Sequence, residues 1–366
     1  MLISLSVTNT QLEFIGSAKV EDLVNRLVQA DRAGRHLVVI DRNTVDWIIE
    51  NTTLSLNVKS HLISIRQSFT TRGAMPSVAT SCLVVSPDFQ EIRCEDDDGN
   101  RFVIGVDEFL RGSFSDFPTA FVLEDIVSDG ALYEQALLEA RKLTQVPSYR
   151  YEAVHSGGSR VPEVFEIEIS KSKVVTCLVD SDRISPPDRK SSSALGVLRA
   201  CSERNSSTRI KPCYIGQALV LPGRELENMV PFHIAKDILS ADPDTVKFLS
   251  PLILQDSEVA TEDCLWLFFD VKRGLDGGKV LDKFERKLIS EESLDWLRRH
   301  LKVEQAELST LKLAGWGDSF ASSFVKDSEA LARFHRFCRG PYWRSVFQPV
   351  FSKLLWFFCA SRPDRL

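Results

Sequence analysis

No Cys-x-x-Cys pair occurs in this chain. Its eight cysteines (Cys82, Cys94, Cys177, Cys201, Cys213, Cys264, Cys338 and Cys359) form no cluster with histidine. A zinc ribbon needs thiolates grouped closely enough to close a tetrahedral site, so that class is excluded. Several cysteines lie in apolar runs, which predicts buried free thiols in a reducing cytoplasm. Long apolar runs are also missing. The best candidate, 354–360 after Lys353, falls far short of the ~20 residues that span a bilayer. Met1-Leu2-Ile3-Ser4 leads into alternating residues rather than a basic segment and an apolar run, so no secretory signal is expected. Positive charge is in deficit, with 45 Lys and Arg against 51 Asp and Glu, a net charge of -6. Bulk charge therefore cannot hold nucleic acid here, although a local basic groove could. No internal repeat or low-complexity tract is evident.

The 366 residues suffice for two or three domains. Residues 1–118 read as a mixed α/β unit. Helical spacing runs from Val20 to Ala33 and stops at Gly34, and His36-Leu37-Val38-Val39-Ile40 follows as a buried strand. Asp41 after that strand is read as the cap of a short helix at 44–49 rather than as a catalytic acid. Strands are expected within 81–106, with a solvated turn at Asp96-Asp97-Asp98. Gly112 to Pro118 marks a boundary. Beyond it, apolar strands at 120–123, 149–154, 174–179 and 214–221 alternate with helical stretches. That alternation implies βαβ units and a mainly parallel sheet covered on both faces. From about Asp237 the chain reads as mainly helical, with 281–301 and 328–358 the clearest segments. The stripe Trp343, Phe347, Val350, Phe351, Leu354, Leu355 and Phe358 reads as core packing, with a partner-binding helix as the minority reading.

The chemistry concentrates at strand ends. Val174–Val179 ends in Asp180-Ser181-Asp182, and side chains two apart on a strand project the same way. Two such carboxylates are costly together unless a cation sits between them, and Mg²⁺ or Mn²⁺ is the natural candidate. Phe121-Val122-Leu123 also ends in acid, as Glu124-Asp125-Ile126-Val127-Ser128-Asp129. In a parallel sheet, ligands collect at the carboxyl ends of the strands, which places Glu124, Gly157 and Asp180 at one edge. The polar loop at 184–193 is either a lid over substrate or a spacer.

The order strand-Glu-x4-Asp-helix, Gly157-Gly158-Ser159, then strand-Asp180-Ser181-Asp182 resembles a toprim domain, in the form found in OLD-type (overcoming lysogenization defect) nucleases and stand-alone toprim effectors. In that family the first motif runs Glu-Gly-x-x-Asp. Here Asp125 stands in place of the Gly and one further residue separates the acids, which leaves Glu124 or Asp125 as the metal-facing side chain, Glu124 being favoured. Arg224-Glu225-Leu226-Glu227-Asn228 resembles the downstream Glu-Asn stretch. The resemblance covers about 119–235.

The resemblance implies a central toprim-like, mainly parallel sheet (119–236) between an N-terminal α/β domain (1–118) and a mainly helical region (237–366). It implies a Mg²⁺- or Mn²⁺-dependent nuclease acting on DNA or RNA. Glu124, Asp180 and Asp182 would hold one ion, and Asp129, Glu225 or Glu227 would help with a second. Gly157 and Gly158 would let backbone approach a phosphate, and Lys173, Arg183 or Arg224 would stabilise the transition state. The stretch Gly274 to Val280 is one residue short of a P-loop and lacks its Ser/Thr, so ATP hydrolysis is not expected. OLD-type relatives imply a separate partner ATPase, or a homo-oligomer, and a place in anti-phage defence, with no membrane role. Two other readings stay open: a non-catalytic toprim-like scaffold in a nucleic-acid-handling complex, and a nucleotide- or phosphate-handling enzyme on a similar sheet.

Overall fold

The computed structural model describes residues 1–95, 100–158, 160–205, 214–238, 241–256 and 263–363. The acidic turn expected at 96–98, Ser159 and Cys213 lie outside them. The fold is α/β, built around two sheets.

The first sheet holds β1 (Leu2–Leu5), β2 (Leu37–Ile40), β3 (Cys82–Val85), β4 (Arg93–Cys94) and β5 (Arg101–Ile104) in the order β2-β1-β3-β5-β4. All neighbours are parallel except β4, which pairs antiparallel with β5. The helix Ser17–Arg32 buries Val20, Leu23, Val24, Leu27 and Val28, the one-sided spacing that its sequence shows. Asp41 caps the helix Arg42–Asn51 by accepting the Thr44 amide at 3.0 Å. Helix Leu56–Arg72 buries only Leu62 and Ile65, so its sequence carries little helical periodicity.

The second sheet is wholly parallel and comprises β6 (Thr119–Leu123), β7 (Tyr151–His155), β8 (Val175–Val179) and β9 (Gly216–Val220) in the order β7-β6-β8-β9. Residues alternate across it. Ala120, Val122, Val175, Cys177 and Val179 pack with Val161, Phe165 and Ile169 of helix Val161–Ser170 and with Ala194 and Val197 of helix Ser192–Asn205. Phe121, Leu123 and Leu178 face the other way, into a core shared with helix Ile126–Leu143 and with the rest of the chain. Phe121 meets Tyr133 and Phe358 at ring-centroid distances of 5.5 and 5.0 Å.

The C-terminal third is mainly helical, with one small antiparallel pair, β10 (Gly274–Asp276) and β11 (Lys312–Ala314). The stretch read as one helix at 281–301 is two, Gly277–Glu285 and Glu291–Leu301. Lys287 takes a positive φ of 57° between them and Ser290 caps the second. Likewise 328–358 divides into Ser328–Phe337, a π-helical turn Trp343–Phe347 and Gln348–Phe357, with Gly340-Pro341 in the break. The aromatic stripe is core: Trp343, Phe347, Phe351, Leu354, Leu355 and Phe358 are all buried.

The chain end stitches the sheets together. Thr119 Oγ1 donates to the Phe357 carbonyl at 2.6 Å, and Ala360 N to that of Ser148 at 3.0 Å. Ser361 N donates to the His36 carbonyl at 3.2 Å. The seven described cysteines are free, and all but Cys94 are buried. Among the described residues no helix is long and apolar enough to cross a membrane.

Candidate functional site

In the second sheet the chain leaves β6 for β7 on one side and returns to β8 on the other. A crevice therefore opens between the carboxyl ends of β6 and β8, where the strand order reverses. Glu124 follows β6 and Asp180 follows β8, so both carboxylates stand at its mouth. The insertion in the first acidic motif has a local consequence. Asp125 accepts the Val127 amide at 2.8 Å and so starts the helix Ile126–Leu143. Asp129 then sits in the first turn of that helix, almost buried. Gly157 and Gly158 both adopt positive φ, 74° and 78°, where a Cβ would be strained although it would meet nothing within 4 Å. The Gly158 amide donates to the Glu124 carbonyl at 3.1 Å and ties this open turn to the acidic strand end.

The loop after β8 is fixed in place. Asp182 has φ 54° and donates its amide to the Arg224 carbonyl at 2.9 Å, and Ser181 Oγ donates to the Gly223 carbonyl at 2.6 Å. Asp180 Oδ1 accepts the Leu226 amide at 3.1 Å. Further along, Asp188 accepts the Ile184 and Arg189 amides at 3.1 and 2.9 Å, which makes this segment a pinned turn.

Behind the crevice, the short helical turn Leu226–Met229 faces the segment 264–272. Asn228, entirely buried, joins the two: Oδ1 accepts the Glu225 amide at 2.8 Å, and Nδ2 donates to the carbonyls of Trp266 (2.6 Å) and Phe269 (2.9 Å). Glu225 Oε1 accepts the amides of Val271 and Lys272, and Arg224 pairs with Asp270 at 2.9 Å. This framework delivers Lys272 into the acidic cluster. Its Nζ lies 3.0 Å from Glu227 Oε1 and 3.7 Å from Asp129 Oδ1. Glu227 is wholly buried, and the Lys272 ammonium is its ion-pair partner.

One lysine cannot neutralise so many acids. Burial pushes the Glu124 carboxyl up to about 7, and the charges of Asp182 and Asp129 push the same way. Burial raises Asp180 well above the usual carboxylate range, with Glu227 and Glu124 adding to it. Glu225 is pushed up to about 8 by burial, then by Glu227 and Asp270. Glu227 is raised by burial, partly relieved by Lys272. Burial opposes the charge on Lys272, but Glu227, Asp129, Asp180 and Glu225 outweigh it and hold its pKa above the ordinary lysine value.

The structure thus gathers Glu124, Asp129, Asp180, Asp182, Glu225 and Glu227 into one electrostatic neighbourhood. Among the described residues no three of them close around a common point as a finished ligand shell.

Two of the expected cations are placed elsewhere. Lys173 precedes β8, so it lies at the amino edge of the sheet, about 23 Å of extended chain away from Asp180. There it pairs with Glu152 at 2.9 Å and covers the Phe117 ring. It cannot reach a reacting phosphate at the other edge. The Arg183 guanidinium is committed to the carbonyls of Pro186 and Pro222, at 3.1 and 3.0 Å, and lies over Phe268. The cation of the cluster is Lys272, which the sequence does not single out. Its only local signal is an acid-basic-glycine turn, Asp270-Val271-Lys272-Arg273-Gly274, after an aromatic run. The P-loop-like stretch beside it is β10 and a helix start. A Cβ on Gly277 would come within 1.9 Å of the Leu308 carbonyl, so that glycine serves packing and not phosphate.

Comparison with family models, with curated proteins and with solved structures finds no match to this chain.

Proposed function

We propose that this chain is a divalent-metal-dependent nuclease with a toprim-like catalytic sheet. The observation that supports it most is the pair Glu124 and Asp180 at the switch point of a parallel sheet, with Asp129, Asp182, Glu225 and Glu227 in the same electrostatic neighbourhood. The donor set is all hard oxygen, which suits Mg²⁺ or Mn²⁺ rather than zinc or copper. Glu124, Asp180 and Asp182 are the residues that would hold such an ion. Bound there, it would supply Lewis-acid activation of a phosphodiester and of the attacking water.

The chain's own groups perform the rest. Burial and the neighbouring Asp182 and Asp129 charges hold the Glu124 carboxyl up at about 7 in the metal-free chain, so a bound cation would favour its charged form. The pinned loop after β8 holds Asp180 and Asp182 in fixed relation to Arg224. Lys272 keeps positive charge beside the crevice, where negative charge grows on the transferred phosphate. The substrate is DNA or RNA, and with a net charge of -6 the chain relies on a partner, an ATPase or a second copy, for recruitment.

The direct test is cleavage of single- and double-stranded DNA and RNA with Mg²⁺ or Mn²⁺, for wild type and Asp180→Asn. Divalent-dependent cleavage that the variant loses by at least about a hundredfold is expected. Equal cleavage by both proteins rejects the reading.

A second reading, a metal-free scaffold, draws on the absence of a finished three-ligand shell among the described residues and on Lys272 as an internal counter-ion. A wild type that binds no divalent ion would favour it.

A further inference from the structure

The second sheet has one covered edge and one open edge. At one side β9 is buried from Gly216 to Leu219. At the other, β7 pairs with β6 alone, in an unbroken register from Tyr151 to His155. Ser156 N donates to the Leu123 carbonyl at 2.9 Å and Arg150 N to that of Phe358 at 2.8 Å, so the even-numbered amides face β6 and the chain end beneath it. The backbone groups of Tyr151, Ala153 and His155 therefore face away, where no strand lies among the described residues. Glu152, Ala153 and His155 are exposed.

Such an edge accepts another strand unless something blunts it. No proline or bulge interrupts β7, and the charge of Glu152 is already paired with Lys173 at 2.9 Å. Tyr151, Ala153 and His155 point to the side of helix Ile126–Leu143, because Tyr151 packs on Phe121 with ring centroids 5.4 Å apart and its phenol donates to Glu134 of that helix. Glu134 also accepts the Tyr149 phenol at 3.0 Å. Two phenols occupy its oxygens, but among the described residues no Lys, Arg or His pairs with its charge. Val127 and Leu138 lie on the same helical stripe as Glu134, and both are exposed.

We propose that β7 is the contact strand of a homodimer, pairing antiparallel with β7 of a second copy about a two-fold axis at Ala153. In that register Ala153 faces its own copy and Tyr151 faces His155 of the second copy, and the outward groups of these residues close about six backbone hydrogen bonds. The small Ala153 side chain leaves room on the axis. Facing residues lie about 5 Å apart at Cβ, so His155 of each copy comes beside the Tyr151–Glu134 pair of the other. It brings a cation to a carboxylate that lacks one, which is why the occupant is a second copy rather than an unrelated strand. On the opposite face Glu152 meets Val154, so no two like charges stand directly across from each other. The arrangement joins two parallel sheets into one and leaves both crevices open, since each lies between β6 and β8, inside the edge strand. This dimer does not depend on what the crevice does.

The test is sedimentation equilibrium of the full chain, with hydrogen exchange read amide by amide. Wild type is expected to reach twice the 41.2 kDa of one chain at about 50 µM protein. As the dimer forms, the amides of Tyr151, Ala153 and His155 should gain at least about tenfold in protection, while those of Glu152 and Val154, already turned to β6, should not change. Ala153→Pro removes the N–H on the axis without touching a bond to β6, and is expected to raise the dimer dissociation constant at least about a hundredfold. If that variant does not fold, Ala153→Lys decides, because it opposes two like charges on the axis and should give the same monomer. His155→Glu should weaken the dimer at least about tenfold, and Glu134→Gln added to it should recover most of that loss. A wild type that stays monomeric to about 100 µM overturns the proposal. So does a dimer that both Ala153 variants leave intact, a His155→Glu dimer as tight as wild type, or protection spread evenly over odd and even amides.

Discussion

The carboxyls of Glu124 and Glu225 give a pH dependence with a definite sign. Each has a folded pKa above its ordinary value of 4.5, about 7 for Glu124 and about 8 for Glu225. The folded chain therefore binds more protons than the unfolded one between these values, and stability falls as pH rises. Stability from these groups is complete below about 4.5 and is lost as pH passes through about 7 and then about 8. In chelator, the melting temperature should accordingly drop between pH 5 and pH 8. Glu124→Gln should flatten the part of that slope centred near neutrality, and Mn²⁺ should flatten it too, by pairing with the charged form. A melting temperature that climbs over this range in wild type would contradict the assignment of these two groups as the strained acids.

At the scale of the element, the turn Leu226–Met229 and the segment 264–272 form one unit because Asn228 satisfies polar groups on both. Replacing it with Ala strands the Glu225 amide and two buried carbonyls, which should cost about 3 kcal/mol in urea denaturation. The same change should weaken Mn²⁺ binding, since Leu226 N no longer holds Asp180 in register. Retention of full stability would mean that water replaces all three bonds. The turn is also set from below, where Trp266 meets Phe232 and Trp316 edge-on, at 5.3 and 5.4 Å. Farther along, Gly277→Ala should destabilise the chain by about 2 kcal/mol or more, because its Cβ must displace the Leu308 backbone rather than a flexible side chain. A neutral Gly277→Ala would show that the helix Gly277–Glu285 shifts freely.

For the whole molecule, the informative fact is that the last described residues close both sheets. Phe357 accepts from Thr119 at the start of β6, while Ser361 reaches His36 beside β2, and the Met1 amine donates to the Cys359 carbonyl at 2.7 Å. One buried apolar cluster also runs without interruption from Leu2 through Phe121 to Phe358. The segment Gly112 to Pro118 is part of this packing, with the Gly112, Ser115 and Phe117 carbonyls bonded to Arg26, Arg35 and His36. Truncation before Phe357 should therefore release amide protection in β1–β3 and in β6 together, as read by hydrogen exchange. Loss confined to the helix Gln348–Phe357 would show that the sheets stand independently of the chain end.

Local rules were enough for much of this protein. Alternating apolar strands and helices placed β6 to β9 in order, and the acids at their ends mark the crevice, because a residue that follows a strand must lie at the carboxyl edge. The same rule places Lys173, which precedes β8, at the far edge; side-chain chemistry alone made it look like a site residue. Asp125 as a helix starter and Asp41 as a cap follow from neighbours within a few positions. What only the tertiary structure decided is the cation. Lys272 meets Glu227 across 45 positions of sequence, and no periodicity links them. Their meeting depends on Asn228 bridging two backbones and on Trp266 and Trp316 packing beneath. Charge pairing is set by distance in space, and that distance is fixed by the burial of side chains far from either charge.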